Sequence, residues 1–376
     1  WGTAQVVQRW NEIYQDLEAG RTPAPPERPD YLAFIQESLD YRNSPAFERD
    51  ADYWRSHVGA LPEPLFEPRY AGTPRNALPD ARVVRHPIKR ADYNALEKVA
   101  QTGATTIYHW FLAALAIYLT RISRRTSVLI GVPSLNRGGK RFKATLGMFV
   151  GVLPLRIEID PEMTVADAIT SVTALLRNAY RHPRFPVSEL GRELEVIKHG
   201  RAGLFDVLLS YERQDYTCHF GEARGIEPRQ TFSGKARYPL GLTVCEFQAD
   251  QDVDLIVEGS AEFFSADEVA AFGPRLQHLL NQMVADASLA VGQLSLLPDA
   301  EREAQLRLSG RVRDTCPPPY IRQFETWVDR QPEALALVWD GGQMTYAELD
   351  GFANQVCRRL QGQGVQRGDI VALALP

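Results

Sequence analysis

Sulfur is scarce in this sequence. Four cysteines, Cys218, Cys245, Cys316 and Cys357, are scattered over 376 residues with no C-x-x-C spacing. That argues against a structural zinc site and against a disulfide framework, so a reducing compartment, the cytoplasm, is expected. Long apolar runs are missing as well. None approaches the ~20 residues that cross a bilayer, and Phe111–Leu119 reads as a core helix instead. Charge of one sign is not in excess. A net charge of −5 gives no reason to expect a nucleic acid or an anionic membrane as partner. Nor is a signal peptide expected. The chain opens on Trp1 and closes on the apolar run VALALP, and both ends are expected to be cuts through a longer structure.

What remains is ordinary globular material, 44% hydrophobic and 24% charged, long enough for two domains or more. The pattern is organised around Gly131–Arg156, GVPSLNRGGKRFKATLGMFVGVLPLR. It reads as a strand end, a basic loop, and a second strand whose unbroken apolar run, Met148–Leu155, predicts burial on both faces. Ahead of it, helices are expected from a Thr3 cap to Gly20, at Asp30–Asp40, at Phe47–Val58, at Ala91–Gln101, and at Thr105–Arg121, which is apolar nearly all round. Strands are expected at Ala81–Pro87 and Ser127–Val132. Beyond it come a helix at Met163–Arg181, a strand at Phe205–Tyr211, and a hairpin of Tyr238–Phe247 with Val253–Ser260. A helix capped by Ser265 then runs to Ala285. Gly138-Gly139-Lys140 fails as a phosphate loop, because Ser134 and Arg141 occupy the positions where Gly and Ser or Thr are needed. His109 reads as a hydrogen-bonded core residue. Cys218-His219 is a poor nucleophile–base pair, since neighbours on a strand point to opposite faces.

Several segments resemble nonribosomal peptide synthetase condensation domains. LGMFVGVLPLR (Leu146–Arg156) is similar to that family's I-G-x-F-V-N-T-x-x-L-R signature, with Gly151 in place of its Asn. GVPSLNR resembles G-x-P-x-x-x-R, and DYLAFIQ (Asp30–Gln36) a loose Y-x-D-Y-A-x-W. HPRFPVSEL (His182–Leu190) and GRAGLFDVLLSYE (Gly200–Glu212) resemble two later signatures. After Pro317 the likeness changes. MTYAELD (Met344–Asp350) and GVQRGDIVAL (Gly364–Leu373) resemble the opening of an adenylation domain of the acyl-activating superfamily.

The resemblance implies an α/β fold, a chloramphenicol acetyltransferase-like lobe with a mixed sheet and flanking helices, followed by a truncated start of an adenylation domain. Residues 1–60 would end the N-terminal lobe and cross to the next, 61–290 would form the C-terminal lobe, 291–317 a linker, and 318–376 the adenylation fragment. It also implies amide formation between donor acyl or peptidyl and acceptor aminoacyl thioesters, carried on phosphopantetheine by upstream and downstream carrier proteins. Heterocyclisation, epimerisation and an inactive carrier-docking scaffold are the alternatives. The family's catalytic motif is H-H-x-x-x-D-G. The seven histidines here include no adjacent pair, and none has Asp four residues later. The motif is therefore expected before Trp1, with no catalytic residue in this chain. Arg137 would clamp the motif's Asp, the alternative being a solvated loop arginine. Ser210, Tyr211 and Glu212, with Met148, Val150 and Gly151, would line the substrate tunnel. The basic cluster Arg137, Lys140, Arg141 and Lys143 could attract an acidic carrier protein. No metal and no directly bound cofactor are expected. ATP and Mg would serve only a complete adenylation domain.

Overall fold

The computed structural model describes residues 2–25, 28–70, 72, 77–137, 141–214, 218, 220–222, 231–308 and 319–374. They fall into two compact units, Trp1–Arg302 and Glu303–Pro376.

The first unit opens with three helices, α1 (Gly2–Glu18), α2 (Tyr31–Arg42) and α3 (Pro45–Val58). Asp30 caps α2 by accepting from the Leu32 N–H, and Pro45 starts α3 where a missing N–H costs nothing. Helix α1 begins at Gly2, so Thr3 lies inside it rather than capping it. Then follow β1 (Ala81–Ile88), α4 (Arg90–Thr102), α5 (Ile107–Ser123), β2 (Ser127–Ser134), β3 (Gly151–Glu158), α6 (Val165–Ala179), α7 (Val187–Glu193), β4 (Val207–Arg213), β5 (Leu240–Glu246), β6 (Val253–Ser260) and α8 (Ala266–Ala285). Every residue of α5 from Trp110 to Thr120 is buried, as its all-round apolar pattern requires. Ser265 and Glu268 form the reciprocal cap that starts α8.

The six strands make one mixed sheet in the order β1-β6-β5-β4-β2-β3. Pairing is antiparallel at β1–β6, β5–β6 and β2–β3, and parallel at β4–β5 and β2–β4. Helices α4, α5, α6 and α8 join its strands in a single core that includes Phe111, Leu155, Val172, Val244, Leu255 and Leu279. Val291 and Leu294 are buried in that core too, so the segment expected to open a linker at 291 begins as packed structure. Helix α9 (Asp299–Leu308) follows.

The apolar run expected to be one strand divides. Only its second half is β3, where Leu153, Leu155 and Ile157 are buried. Met148, at 82% exposed, and Val150, at 55%, lie before the strand and are exposed, while Phe149 between them is buried. The loop is fastened to α2 instead. Tyr31 Oη donates to Met148 O at 2.6 Å, and the Phe149 ring lies 4.4 Å from that of Phe34.

The second unit holds α10 (Tyr320–Arg330), a hairpin of β7 (Leu335–Trp339) and β8 (Gly342–Thr345), and α11 (Tyr346–Gly362). Thr345 caps α11 reciprocally with Glu348.

Candidate functional site

The site begins where a strand ladder stops. β2 and β4 pair in parallel at only two positions, Ile130 with Val207 and Gly131 with Leu208. Gly131 is required there, since a Cβ would stand 2.2 Å from Cε2 of Phe205. Past this point β2 continues against β3 alone, and β4 against β5 alone. The carboxyl ends of two parallel strands thus part, the place where open α/β sheets bind ligands.

A cavity of about 1170 Å³ fills the gap. One lip is Pro133–Arg137, the end of β2 and the residues just beyond it, the other Ser210–Gln214 at the end of β4. Its walls come from the α4–α5 junction, including Thr105, Tyr108 and His109, and from α6 at Thr173, Arg177 and Tyr180. Phe34, Phe142 and Val150 complete it. Tyr108 Oη donates to Leu209 O at 3.0 Å, at the first β4 residue beyond the parallel pair.

Arg137 is 8% exposed, which rules out the solvated-loop alternative. Its Nη1 donates to Phe142 O at 2.9 Å and Thr145 O at 2.7 Å, and its guanidinium carbon lies 4.3 Å from the Phe149 ring centroid. Burial lowers its pKa, and the carbonyl dipoles and ring face offset the lost hydration. No carboxylate among the described residues pairs with it.

The β4 lip is fixed by a buried carboxylate, Glu246. Tyr93 Oη and Tyr211 Oη each donate to its Oε2 at 2.7 Å, and Arg90 Nη1 reaches Oε1 at 3.1 Å. Burial would raise the carboxyl's pKa, but these donors outweigh it and hold the group below the usual range. Burial chiefly, then the bond to Tyr211, pushes the Tyr93 phenol far up. Neither Tyr93 nor Glu246 was legible as a site residue. Their only sequence signal is a polar group in an apolar strand or helix face.

Of the residues expected to line a tunnel, Ser210, Tyr211, Glu212 and Val150 line this cavity. Met148 and Gly151 do not: Met148 is turned outward by the loop's attachment to α2, and Gly151 opens β3 with Pro183 O as its near neighbour. Burial raises the pKa of Glu212. His109 is a capping residue, its Nδ1 accepting from the Thr106 N–H at 3.0 Å. Burial, then Arg177, lowers its pKa. Lys140 and His219 lie outside the described residues. Among those described, no group of three or more His, Cys, Asp or Glu could hold a metal ion, and no helix is long and apolar enough to cross a membrane.

Against known families, residues 2–306 match the condensation domain. The chain belongs to the condensation-domain family. Residues 324–376 match the AMP-binding enzymes. The dimodular nonribosomal peptide synthase of Bacillus subtilis (strain 168) is 25% identical over 382 residues, covering 100% of this chain and 16% of that protein. Gramicidin S synthase 2 of Brevibacillus brevis is 28% identical over 281 residues, covering 74% of this chain and 6% of its own length. The chain thus spans a small part of either relative. Among solved structures, the first condensation domain of the calcium-dependent antibiotic synthetase in complex with a substrate analogue superposes with a TM-score of 0.68 at 23% identity. That match covers 79% of this chain and 64% of the other. The mixed sheet with flanking helices is therefore the chloramphenicol acetyltransferase-like fold of condensation domains.

Proposed function

We propose that this chain supplies one wall of an amide-forming site in a nonribosomal peptide synthetase. The amine of an acceptor aminoacyl thioester attacks the carbonyl of a donor acyl or peptidyl thioester. A C–N bond forms, the C–S bond breaks, and the thiol leaves carrying the proton. Both substrates ride on phosphopantetheine arms of carrier proteins, one upstream and one downstream. The observation that carries this reading is the condensation-family match across residues 2–306, and the cavity at the parted ends of β2 and β4 is the matching geometry.

The base belongs to an H-H-x-x-x-D-G segment placed ahead of Trp1. A histidine suits it because its pKa lies near the working pH. Arg137 clamps that segment's Asp. Its Nη1 makes the bonds to the loop carbonyls, while Nε and Nη2 carry none among the described residues, which suits a carboxylate partner. Residues 1–60 end the first lobe, and the outward Trp10 (62% exposed) and Leu32 (67%) are surface that the rest of that lobe would cover. Residues from 61 through the buried Val291 and Leu294 form the second lobe, the chain from there to 317 leads to the next domain, and 318–376 open an adenylation domain that binds ATP and Mg only when complete. The enzyme is cytoplasmic.

Reading the residues encoded before Trp1 is the first test, since condensation requires the two histidines and the Asp there. The second is to load both carriers of the parent synthetase and analyse the acceptor arm by mass spectrometry. A new amide supports the proposal. Loss of a further water would mean heterocyclisation, an inverted stereocentre with no new bond epimerisation, and carrier retention without chemistry a docking scaffold.

A further inference from the structure

One wall of the cavity is built from two segments far apart in sequence, Phe34 and Glu37 of α2, and Pro183 and Arg184 between α6 and α7. Neither segment belongs to the sheet, so their placement depends on side-chain bonds. Asp50 of α3 supplies them. It is 8% exposed and stands behind the lining. Its Oδ2 accepts from Tyr41 Oη at 2.6 Å, and its Oδ1 accepts from His182 Nδ1 at 2.7 Å. Tyr41 lies one helical turn past Glu37, and His182 directly precedes Pro183. One carboxylate thus grips both halves of the wall. Arg184 closes the ring, with its guanidinium 4.5 Å from the Tyr41 ring centroid and its Nη2 donating to Glu37 O at 2.7 Å.

Helix α3 is a firm base for this grip. The His182 ring stacks on Tyr53 at 4.1 Å, and the His182 carbonyl accepts from Trp54 Nε1 at 2.9 Å. The far end of α3 is tied to the edge strand β3. There His57 Nε2 accepts from the Arg156 N–H at 3.0 Å, and the Arg156 side chain donates to Val58 O and Ala60 O. Burial, then Asp50, pushes the Tyr41 phenol far above its ordinary pKa, so it keeps donating. Short bonds to a carboxylate are strong and directional, so they fix a distance as well as supply energy.

We infer that Asp50 is a positioning residue for the cavity: through His182 and Tyr41 it holds Pro183 and Arg184 against α2, and so sets the size of acyl group that the cavity accepts. This rests on the reading that the cavity takes carrier-bound acyl groups.

Butyryl- and octanoyl-pantetheine, each with an amide in place of the thioester, share one head and differ only in acyl length. Their binding to the 376-residue chain is measured by calorimetry at pH 8, with amide exchange followed by mass spectrometry. Asp50→Ala should shift the affinity ratio toward octanoyl by about tenfold, the scale of a single methylene in a fitted pocket. Arg184→Ala should move the ratio the same way, and the double variant no further, because both act on one wall. Asp50→Asn should keep the wild-type ratio, since its oxygen can accept from Tyr41 and its N–H can donate to Nδ1 of the other imidazole tautomer. Asp52→Ala, on the same helix but with an exposed carboxylate paired to Arg55, should keep it as well. If Asp50→Ala raises exchange in 31–42 and 180–187 but lowers both affinities alike, Asp50 is merely structural. The inference is then overturned while the cavity reading stands, and the same follows if Asp50→Asn shifts the ratio as far as Asp50→Ala. If neither probe binds the wild-type chain, both are overturned.

Discussion

Replacing Glu246 by Gln would test whether the β4 lip is held electrostatically. Glu246 is 6% exposed and receives two tyrosine hydroxyls at 2.7 Å and Arg90 at 3.1 Å. Arg213 also lies 3.5 Å away, but its side chain is 62% exposed and contributes little through solvent. A Gln keeps one acceptor oxygen and sets an NH₂ group against donors, leaving Arg90 without its counter-charge. Breaking a buried pair from one side costs about 3–5 kcal/mol, and the retained acceptor returns part of one bond, so about 3 kcal/mol is expected. The two units need not unfold together, so amide exchange in β4 and β5, read by mass spectrometry, is the appropriate assay. The pH dependence is a second constraint. A carboxyl whose folded pKa lies below its unfolded value stabilises the fold above the unfolded pKa, and that contribution disappears as pH falls through the folded one. The gap between wild type and Glu246→Gln should therefore be full at pH 7 and narrow below about pH 4. A difference under about 0.5 kcal/mol at pH 7, or one unchanged by acid, would refute the reasoning.

Gly131→Ala puts a methyl group into the Phe205 ring, and at 2.2 Å something must move. A loss of about 2 kcal/mol or more in urea unfolding is expected, largely recovered by adding Phe205→Leu. Arg137→Lys keeps the charge but loses the planar fork and the ring stacking. The 141–147 segment should become several-fold more sensitive to limited proteolysis, and an unchanged rate would sink the clamp. Glu268 is held at about 2 by the hydrogen bond from Arg69, against the opposing effect of burial and with help from the Ser265 N–H and hydroxyl. Its side chain is 40% exposed, so Glu268→Ala should cost only about 1 kcal/mol at pH 7. That cost should fade as pH drops from the usual carboxylate range toward 2, as urea midpoints at pH 7 and pH 3 would show.

Legibility followed how local each determinant is. Helix α5 was readable because a helix apolar all round has few places to go. The α8 start was readable because Ser265 and Glu268 lie within one turn of each other. The β5–β6 hairpin was readable from alternation alone. Met148 was misread for the converse reason. An apolar run carries no record of where its strand begins, and here that point is set by Tyr31 and Phe34, more than 100 positions earlier in the chain. Arg137 was singled out by a motif, but its carbonyl partners depend on a loop closure that no pattern encodes. Tyr93 and Glu246 are 153 residues apart and meet only once the sheet order is known. Long-range polar pairs of this kind are where pattern reasoning stops.

The cavity exists because two neighbouring strands are kept from completing their ladder, and the restraints act on both sides of the gap. On the β2 side, Arg137 and the aromatic cluster of Phe34, Phe142 and Phe149 draw the lip toward α2. On the β4 side, Glu246 ties Tyr211 to Tyr93 of α4. Between them, Tyr108 of α5 takes the carbonyl of Leu209 just where pairing ends. Burial holds that phenol well above its ordinary pKa, so it stays protonated and keeps donating. A sheet left to itself gains by extending its hydrogen bonds, so an open gap lined with backbone must be held by groups that supply substitutes. Tyr108 supplies one for Leu209 and Arg137 satisfies the loop carbonyls of Phe142 and Thr145. The polar residues that keep the cavity open thus act on the two sides of the gap separately, Arg137 on the β2 side and Glu246 on the β4 side, so each lip can be altered by itself.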